Sequence, residues 1–389
     1  MEETLKQDIQ KAVEHSGFPL EHYVYGVLKK HQWSVITNRY YIDDIRGIER
    51  EVDIVAYKIY LDEIEKIQYI TTLIISCKQS ENKTWCFLTR DIDSSDGNID
   101  WTPLHFCTTD KRLEYMTNNH RESIINQYKS NIATRSLYSF TENVFAYEQL
   151  RGASNDNEKR QKGNLIVCGN EDMYNSIITS IKAVGYEKRS RTEQYKQHKY
   201  KRYYTFHILS VFDGMMVKDY IDKDGNHDIK SIQDIKYLNR HIINNKDNFY
   251  IVNFVNKTNF ENTIKLFNNV HSANERALPK LITDFYKDIF EDSKKVQELW
   301  NEFTSAILWF VKGSLLELEG NKQLSDFSLS CIYKKEDRKL EIGVDIPFIL
   351  PSELERLNQD TTLNSYVRKY LKSIFRYEGN FTFTDGLPF

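Results

Sequence analysis

Apolar residues recur at helical spacing between Leu20 and Lys30, where Leu20, Val24, Val27 and Leu28 make one face; this predicts a helix. Three runs rich in β-branched and aromatic residues follow, Trp33–Ile42, Glu51–Leu61 and Tyr69–Lys78. They are separated by turns around Gly47 and the charged Glu63–Lys66, and they predict three strands. The order is helix, strand, strand, strand. Asp91–Asp110 is turn-rich and predicts a loop, and Glu122–Leu150 reads as mostly helical. After the polar run RGASNDNEKRQKG come a short strand, LIVCG, and a helix near Met173–Val184. Asp213-Gly214 between YTFHILSVF and MMVKDYI predicts a hairpin, and IKSIQDIKYL then leads to the apolar strand FYIVNFV.

Beyond about His271 the pattern changes. Leu278, Leu281, Ile282, Phe285 and Ile289, then Leu299, Trp300, Phe303, Ile307 and Val311, have helical spacing. Phe327, Leu329, Cys331 and Tyr333 alternate, as do Leu340, Ile342, Val344 and Ile346 across a KKEDRK turn, which predicts a hairpin. Pro351 and a Ser352/Glu355 capping box open a last helix carrying Leu363, Val367, Tyr370, Leu371 and Ile374. The expected fold class is α/β (α+β). Residues 1–270 form a mixed β-sheet flanked by helices, with a core at 16–90, a helical insertion at about 91–160 and a sheet extension at about 161–270. Residues 271–389 form a C-terminal α+β domain for recognition or assembly.

A chain of 389 residues is long enough for two cores, and 40% hydrophobic and 13% aromatic content describe an ordinary globular protein. The formal charge of -3 confines any nucleic-acid surface to a local patch. The acidic start MEETLKQDIQKAVEHSGF has no apolar leader-like core, and no run of about 18 apolar residues suggests a membrane span, so a soluble, cytoplasmic protein is expected. Cys77, Cys86, Cys107, Cys168 and Cys331 are widely spaced and never form CxxC, which argues against a disulfide framework and a zinc ribbon. The acidic loops DIDSSDGNID and DKDGNHD lack the glycine and terminal glutamate of a calcium loop and read as turns. His105 and His207 have no ligand-spaced partners, and GxGxxG, Walker and GxSxG motifs are absent.

The candidate chemistry lies in EVDIVAY and LIISCKQS. Side chains alternate across a strand, so Glu51 and Asp53 share one face, as do Ser76 and Lys78, with Ile75 and Cys77 opposite. Paired strands would then gather two carboxylates, a hydroxyl and an ammonium. Such a set can hold a divalent metal and orient a water, or it can be a structural ion pair at a sheet end. Glu21 falls on the margin of the helix's apolar face, pointing partly inward. A second candidate is the stretch Tyr186–Tyr204, in which Lys188, Arg189, Arg191, Lys196, Lys199, Lys201 and Arg202 are interleaved with tyrosines. It reads either as a solvated loop or as a nucleic-acid contact that combines phosphate affinity with base stacking.

Taken in order, GFPLEHYVYGVLKKHQWSV, REVDIVAY, LIISCKQS and KTWCF resemble the core of the PD-(D/E)XK nuclease superfamily, in particular its Mrr-like, restriction-endonuclease-like branch. The resemblance covers about Ser16–Phe87, with a weaker echo to about residue 270. It implies a restriction-endonuclease-like sheet and a Mg²⁺-dependent endonuclease, with Mn²⁺ able to substitute, acting on DNA in bacterial defence, with RNA also open as a substrate. By the same resemblance Asp53 is the main metal ligand, Lys78 the catalytic lysine and Glu21 the helix acid. Ser76 stands where the motif has an acid. Glu51 and the Cys77 carbonyl are the candidates to supply the missing ligand. The departure at Ser76 also motivates a different class of reading, a catalytically inactive nuclease-like module that binds nucleic acid or protein. The C-terminal domain offers a place for a partner protein or for self-association.

Overall fold

The computed structural model of the chain describes residues 3–14, 16–43, 47–153, 164–194, 198–243, 246–316, 327–346 and 349–386. Two compact units emerge, one of Met1–Asp110 with Thr117–Pro279, the other of Lys111–Met116 with Lys280–Phe389. Among the described residues no helix is long and apolar enough to cross a membrane, and the five cysteines are free thiols.

In the first unit α1 (Glu3–Glu14) and α2 (Phe18–Lys30) precede three antiparallel strands, β1 (Ser34–Asp43), β2 (Ile48–Asp62) and β3 (Ile67–Arg90). The next elements are β4 (Phe106–Thr108), α3 (Lys111–Asn119), of which Lys111–Met116 belong to the second unit, α4 (Arg121–Ser130), β5 (Asn143–Gly152), β6 (Leu165–Val167) and α5 (Glu171–Gln194). The long β7 (Lys201–Ile221) then pairs parallel to β3, and β8 (His227–Ser231), β9 (Asp234–Ile243) and β10 (Lys246–Asn256) follow. Among the described residues the mixed sheet has ten strands, with the order β1-β2-β3-β7-β10-β9 along its main path. The first half of β3 is buried on both faces, which is why it reads as a near-continuous apolar run instead of alternating.

Helices cover both faces. On one, Met173, Ile177, Ile181 and Val184 of α5 enter a core with Val55, Ile74, Trp85, Ile208 and Phe254. On the other, α2 packs through Leu20, Val24 and Leu28. The long α6 (Phe260–Tyr286) meets β3 through a buried polar network. Thr71 is hydrogen-bonded to His271 Nδ1 at 3.0 Å, and Asn274 Nδ2 donates to Thr71 at 2.9 Å. Burial and the nearby Lys58 push His271 down to about 4, so it stays neutral inside this network.

The second unit contains α7 (Ser293–Leu316) and a separate sheet of β11 (Ser328–Lys334), β12 (Lys339–Asp345) and, after α8 (Pro351–Gln359) and α9 (Thr361–Phe375), β13 (Asn380–Asp385). β11 and β12 form the antiparallel hairpin expected from their alternation, and β13 joins β12 in parallel.

Several expectations are corrected. The mostly helical reading of Glu122–Leu150 holds to Ser130 and again in a short 3-10 turn at Arg135–Tyr138; Asn143–Gly152 is a strand because β3, longer than expected, offers it an edge. Asp213-Gly214 does not turn the chain, and β7 runs through it unbroken for 21 residues. A tight two-residue hairpin of the Asp-Gly kind needs positive φ at its central residues, and neither residue has it. Gly214 instead permits close approach, since a Cβ there would lie 2.6 Å from the Ser80 carbonyl oxygen. The reversal comes later, at Asp222–Asn226, where Gly225 has φ 81°. The helix near Met173 extends to Gln194 and absorbs the first half of the basic stretch. The last helix is two helices: Pro351 makes Leu350 the N-cap of α8, whose N–H donates to Glu353, so Ser352/Glu355 is not the box. Asp360 then caps α9 by accepting from Leu363 N–H.

Candidate active site

The β2–β3 ladder ends at the buried pair Ile54–Ile75. Past that point β3 continues beside β7 and β5 while β2 departs with β1, leaving a fork. The Cys77 N–H, on the β2 side of β3, finds its acceptor in a side chain: it donates to Asp53 Oδ2 at 2.6 Å. Ser76 Oγ donates to the same oxygen at 3.2 Å, and Lys78 Nζ stands 3.9 Å from it. All these contacts fall on Oδ2, and none among the described residues on Oδ1. The Asp53 and Lys78 side chains are 22% and 33% exposed. An ion pair this long and this wet contributes about 0–1 kcal/mol, so stability alone is a weak reason for the lysine.

Glu21 reaches the same place from α2. Its carboxyl is raised above the ordinary range, first by burial, then by the charges of Asp53 and Glu51, with Lys78 partly offsetting them. Three carboxylates from α2 and β2 therefore share one electrostatic neighbourhood. Glu51 leans toward β1, accepting from Asn38 Nδ2, and its charge and hydrogen bond raise the pKa of the Tyr40 hydroxyl. The Cys77 thiol is buried and pushed well up by desolvation, then by Asp53 and Glu21, which leaves it a thiol and no nucleophile.

The Glu21 shift has a signed consequence. A carboxyl whose folded pKa lies above its ordinary value binds protons more tightly when folded, so its contribution to stability falls as pH rises from the ordinary carboxylate value through the folded one. Glu21→Gln is expected to raise the thermal unfolding midpoint relative to wild type at about pH 8 in chelator, and to lose that advantage near pH 4. An equal difference at both pH values would show that neither burial nor its neighbours' charge raises the Glu21 carboxyl.

Among the described residues no three His, Cys, Asp or Glu side chains stand close enough to form a metal cage on their own. Mg²⁺ typically takes one or two carboxylates and fills its remaining positions with water and phosphate oxygens. Asp53, with Oδ1 uncommitted, and Glu21, held near it at an electrostatic cost, are the two carboxylates suited to that role.

The sequence did not reveal what lies on the other side of Lys78. Ser80–Lys83 leave the β3–β7 ladder, and Lys83 Nζ then meets Asp172 Oδ2 at 2.7 Å, with Gln149 donating to the same oxygen at 3.2 Å. Burial works against Asp172's charge, but Lys83, Gln149 and Lys78 outweigh it and hold the carboxyl low. No local pattern announces this cluster, because its members come from β3, β5 and α5.

The basic stretch is divided by the fold. Arg189 and Lys199 are exposed, Lys188 and Lys201 half-buried, and Lys196 lies outside the described residues. Burial lowers the pKa of Lys188. Arg191 Nε donates to Glu187 Oε2 at 2.8 Å, and Arg39 Nε to Oε1 at 3.0 Å; Glu187 is only 2% exposed. Arg202 Nη1 donates to the Tyr204 hydroxyl at 3.2 Å. The six described residues therefore do not form one solvated loop. Comparison of the chain with protein-family models, with curated proteins and with solved structures finds no match.

Proposed function

We propose that this protein is a metal-dependent nuclease that hydrolyses DNA phosphodiester bonds on a restriction-endonuclease-like sheet. The observation that carries this reading is the convergence of Glu21 from α2, Asp53 from β2 and Lys78 from β3 at the fork, in the chain order the resemblance asks for. Asp53 and Glu21 would hold Mg²⁺ or Mn²⁺, with Glu51 and the Cys77 carbonyl as further oxygens. When bound, the cation supplies the Lewis acidity that polarises a phosphoryl oxygen. Ser76 and the Cys77 N–H fix the Asp53 carboxylate through Oδ2, which assigns Ser76 a positioning role in place of the ligand role of an acid. Lys78 orients the attacking water and offsets charge developing on the phosphoryl group. A role in defence against foreign DNA rests on the resemblance alone, and the second unit would serve recognition or assembly.

A second reading is favoured by the same hydrogen bonds. Asp53 could be kept only to satisfy the Cys77 N–H where the ladder ends, in a module that binds nucleic acid or protein without cutting. Incubation of plasmid, single-stranded DNA and RNA with Mg²⁺ or Mn²⁺ separates the two. The nuclease reading expects metal-dependent cleavage of DNA that falls about 100-fold in Lys78→Ala. Salt-sensitive binding with no cleavage under either ion would leave the binding module standing.

A further inference from the structure

The helix α9 of the second unit buries Leu363, Val367 and Leu371. It is fixed against α7 by aromatic contacts: Phe310 stacks on Tyr366 with centroids 4.1 Å apart and planes 18° apart, and Phe303 meets the edge of Phe375 at 5.5 Å. Its exposed positions carry only Thr or Ser hydroxyls and three cations, Arg368, Lys369 and Lys372. At 3.6 residues per turn the three cations fall within about 100° of the helix circumference. No acid occurs anywhere from Thr361 to Arg376.

Solvation alone gives a surface that mixes both signs, and a chain of formal charge -3 has no general excess of cations. The helix dipole favours a cation in the last turn, where Lys372 stands, but its effect fades before Lys369 and Arg368. Ion pairing does not explain those two either. Among the described residues Arg368 lies over the Phe381 ring at 5.3 Å and Lys369 over that of Tyr370 at 5.8 Å, and neither forms an ion pair. Lys372 meets Glu378 at 2.7 Å, but the two side chains are 70% and 68% exposed, so the pair is weak and exchangeable. Asp360, at the start of the helix, is committed elsewhere: Oδ1 accepts from Leu363 N–H at 2.9 Å and Oδ2 from Ser314 Oγ at 2.8 Å.

We infer that the exposed face of α9 docks on duplex DNA, with Arg368, Lys369 and Lys372 against phosphates and the hydroxyls available to phosphates and base edges. The charge of the face is complementary to a polyanion. An α-helix about 10–12 Å across fits the roughly 12 Å major groove of B-form DNA, whereas the corresponding groove of duplex RNA is too deep and narrow to be read. An anionic lipid surface would need a free apolar face to insert, and that of α9 is spent on the core of the second unit. The inference does not rest on the nuclease reading, because no residue of the fork takes part; it gives the second unit recognition in place of assembly.

Fluorescence anisotropy of the full chain with a short DNA duplex tests it, in chelator so that no cleavage intervenes. Three phosphate contacts predict that affinity falls at least about 40-fold between about 50 and 200 mM salt. Arg368→Gln, Lys369→Gln and Lys372→Gln combined keep helix propensity and are expected to leave the unfolding midpoint unchanged. They should weaken binding about 10–100-fold at about 100 mM salt and flatten the slope of log affinity against log salt by about 2–3. Glu378→Gln, which releases Lys372 and removes a repelling charge, is expected to tighten binding about 2–5-fold. Misfolding does not produce such a gain, so the test survives if the triple variant fails to fold. Duplex RNA, single-stranded DNA and vesicles of phosphatidylserine and phosphatidylcholine should all bind more weakly than the DNA duplex. Absence of saturable duplex binding, affinity and slope unchanged in the triple variant, no gain in Glu378→Gln, or tighter binding of any of the three competitors would overturn the inference. A cleavage assay in Mg²⁺ keeps the two proposals apart: cutting without any dependence of binding on α9 retains the nuclease reading and loses this one, and binding through α9 without cutting does the reverse.

Discussion

Asp53→Ala is expected to abolish metal-dependent DNA cleavage, by at least about 100-fold or about 2.7 kcal/mol of transition-state stabilisation, and also to destabilise the first unit. The two effects have different origins and can be separated. Catalysis would be lost with the carboxylate charge, which in the proposed function is the principal attachment for the cation. Stability would be lost because the Cys77 N–H, 2.6 Å from Asp53 Oδ2, would have no acceptor where the ladder ends; a deserted buried donor costs about 1–3 kcal/mol. Asp53→Asn keeps a side-chain carbonyl that can accept from Cys77 N–H but carries no charge. It should therefore recover much of the unfolding midpoint and none of the cleavage. Thermal unfolding and a plasmid assay on the two variants provide both readouts. If Asp53→Asn cuts within a fewfold of wild type, the carboxylate charge is not catalytic and Asp53 is a fork cap.

The helix and the three strands around this site were legible because their signals are local: one apolar face between Leu20 and Leu28, and β-branched runs separated by charged turns. Alternation also brought Asp53 and Lys78 together, and the structure places them 3.9 Å apart. The fork itself was not legible. It exists because β3 runs 24 residues and takes β5, from more than fifty residues downstream, as its neighbour once β2 has left; no window of local sequence carries that information. Ser76 looked like a missing ligand, and only the geometry shows it donating to the acid it was thought to accompany. Asp213-Gly214 misled for the converse reason. The dipeptide fits a tight turn, but a parallel neighbour in β3 keeps it extended, and the glycine accommodates a close carbonyl instead of a reversal. In the basic stretch, Glu187 and Arg191 are spaced i, i+4 and could have been read as a helical pair. What could not be read is that Glu187 would be buried and that Arg39, from β1, would complete it.

The largest effect on stability is expected at Trp85, which the sequence marked only as part of an aromatic stretch. Trp85 is fully buried, stacks on Phe212 with centroids 3.9 Å apart and planes 6° apart, and meets the edge of Phe254 at 5.6 Å. Trp85→Ala removes both ring contacts and leaves a void that the long strands β3 and β7 cannot close, at a cost of about 3–5 kcal/mol. Trp85→Phe should cost far less, about 1.5 kcal/mol or under, although it also reduces volume. Among the described residues the buried indole N–H has no hydrogen-bond partner, so phenylalanine removes an unsatisfied donor along with the lost surface. Urea denaturation of the three proteins measures the difference. Equal losses for Phe and Ala would mean that the indole N–H has an acceptor or that the stack contributes little. Phe212 is also the register partner of Lys78 across the β3–β7 ladder. The stack therefore holds the backbone of the strand beside the candidate lysine, and the free energy of unfolding, unlike cleavage rate, isolates that packing from the chemistry.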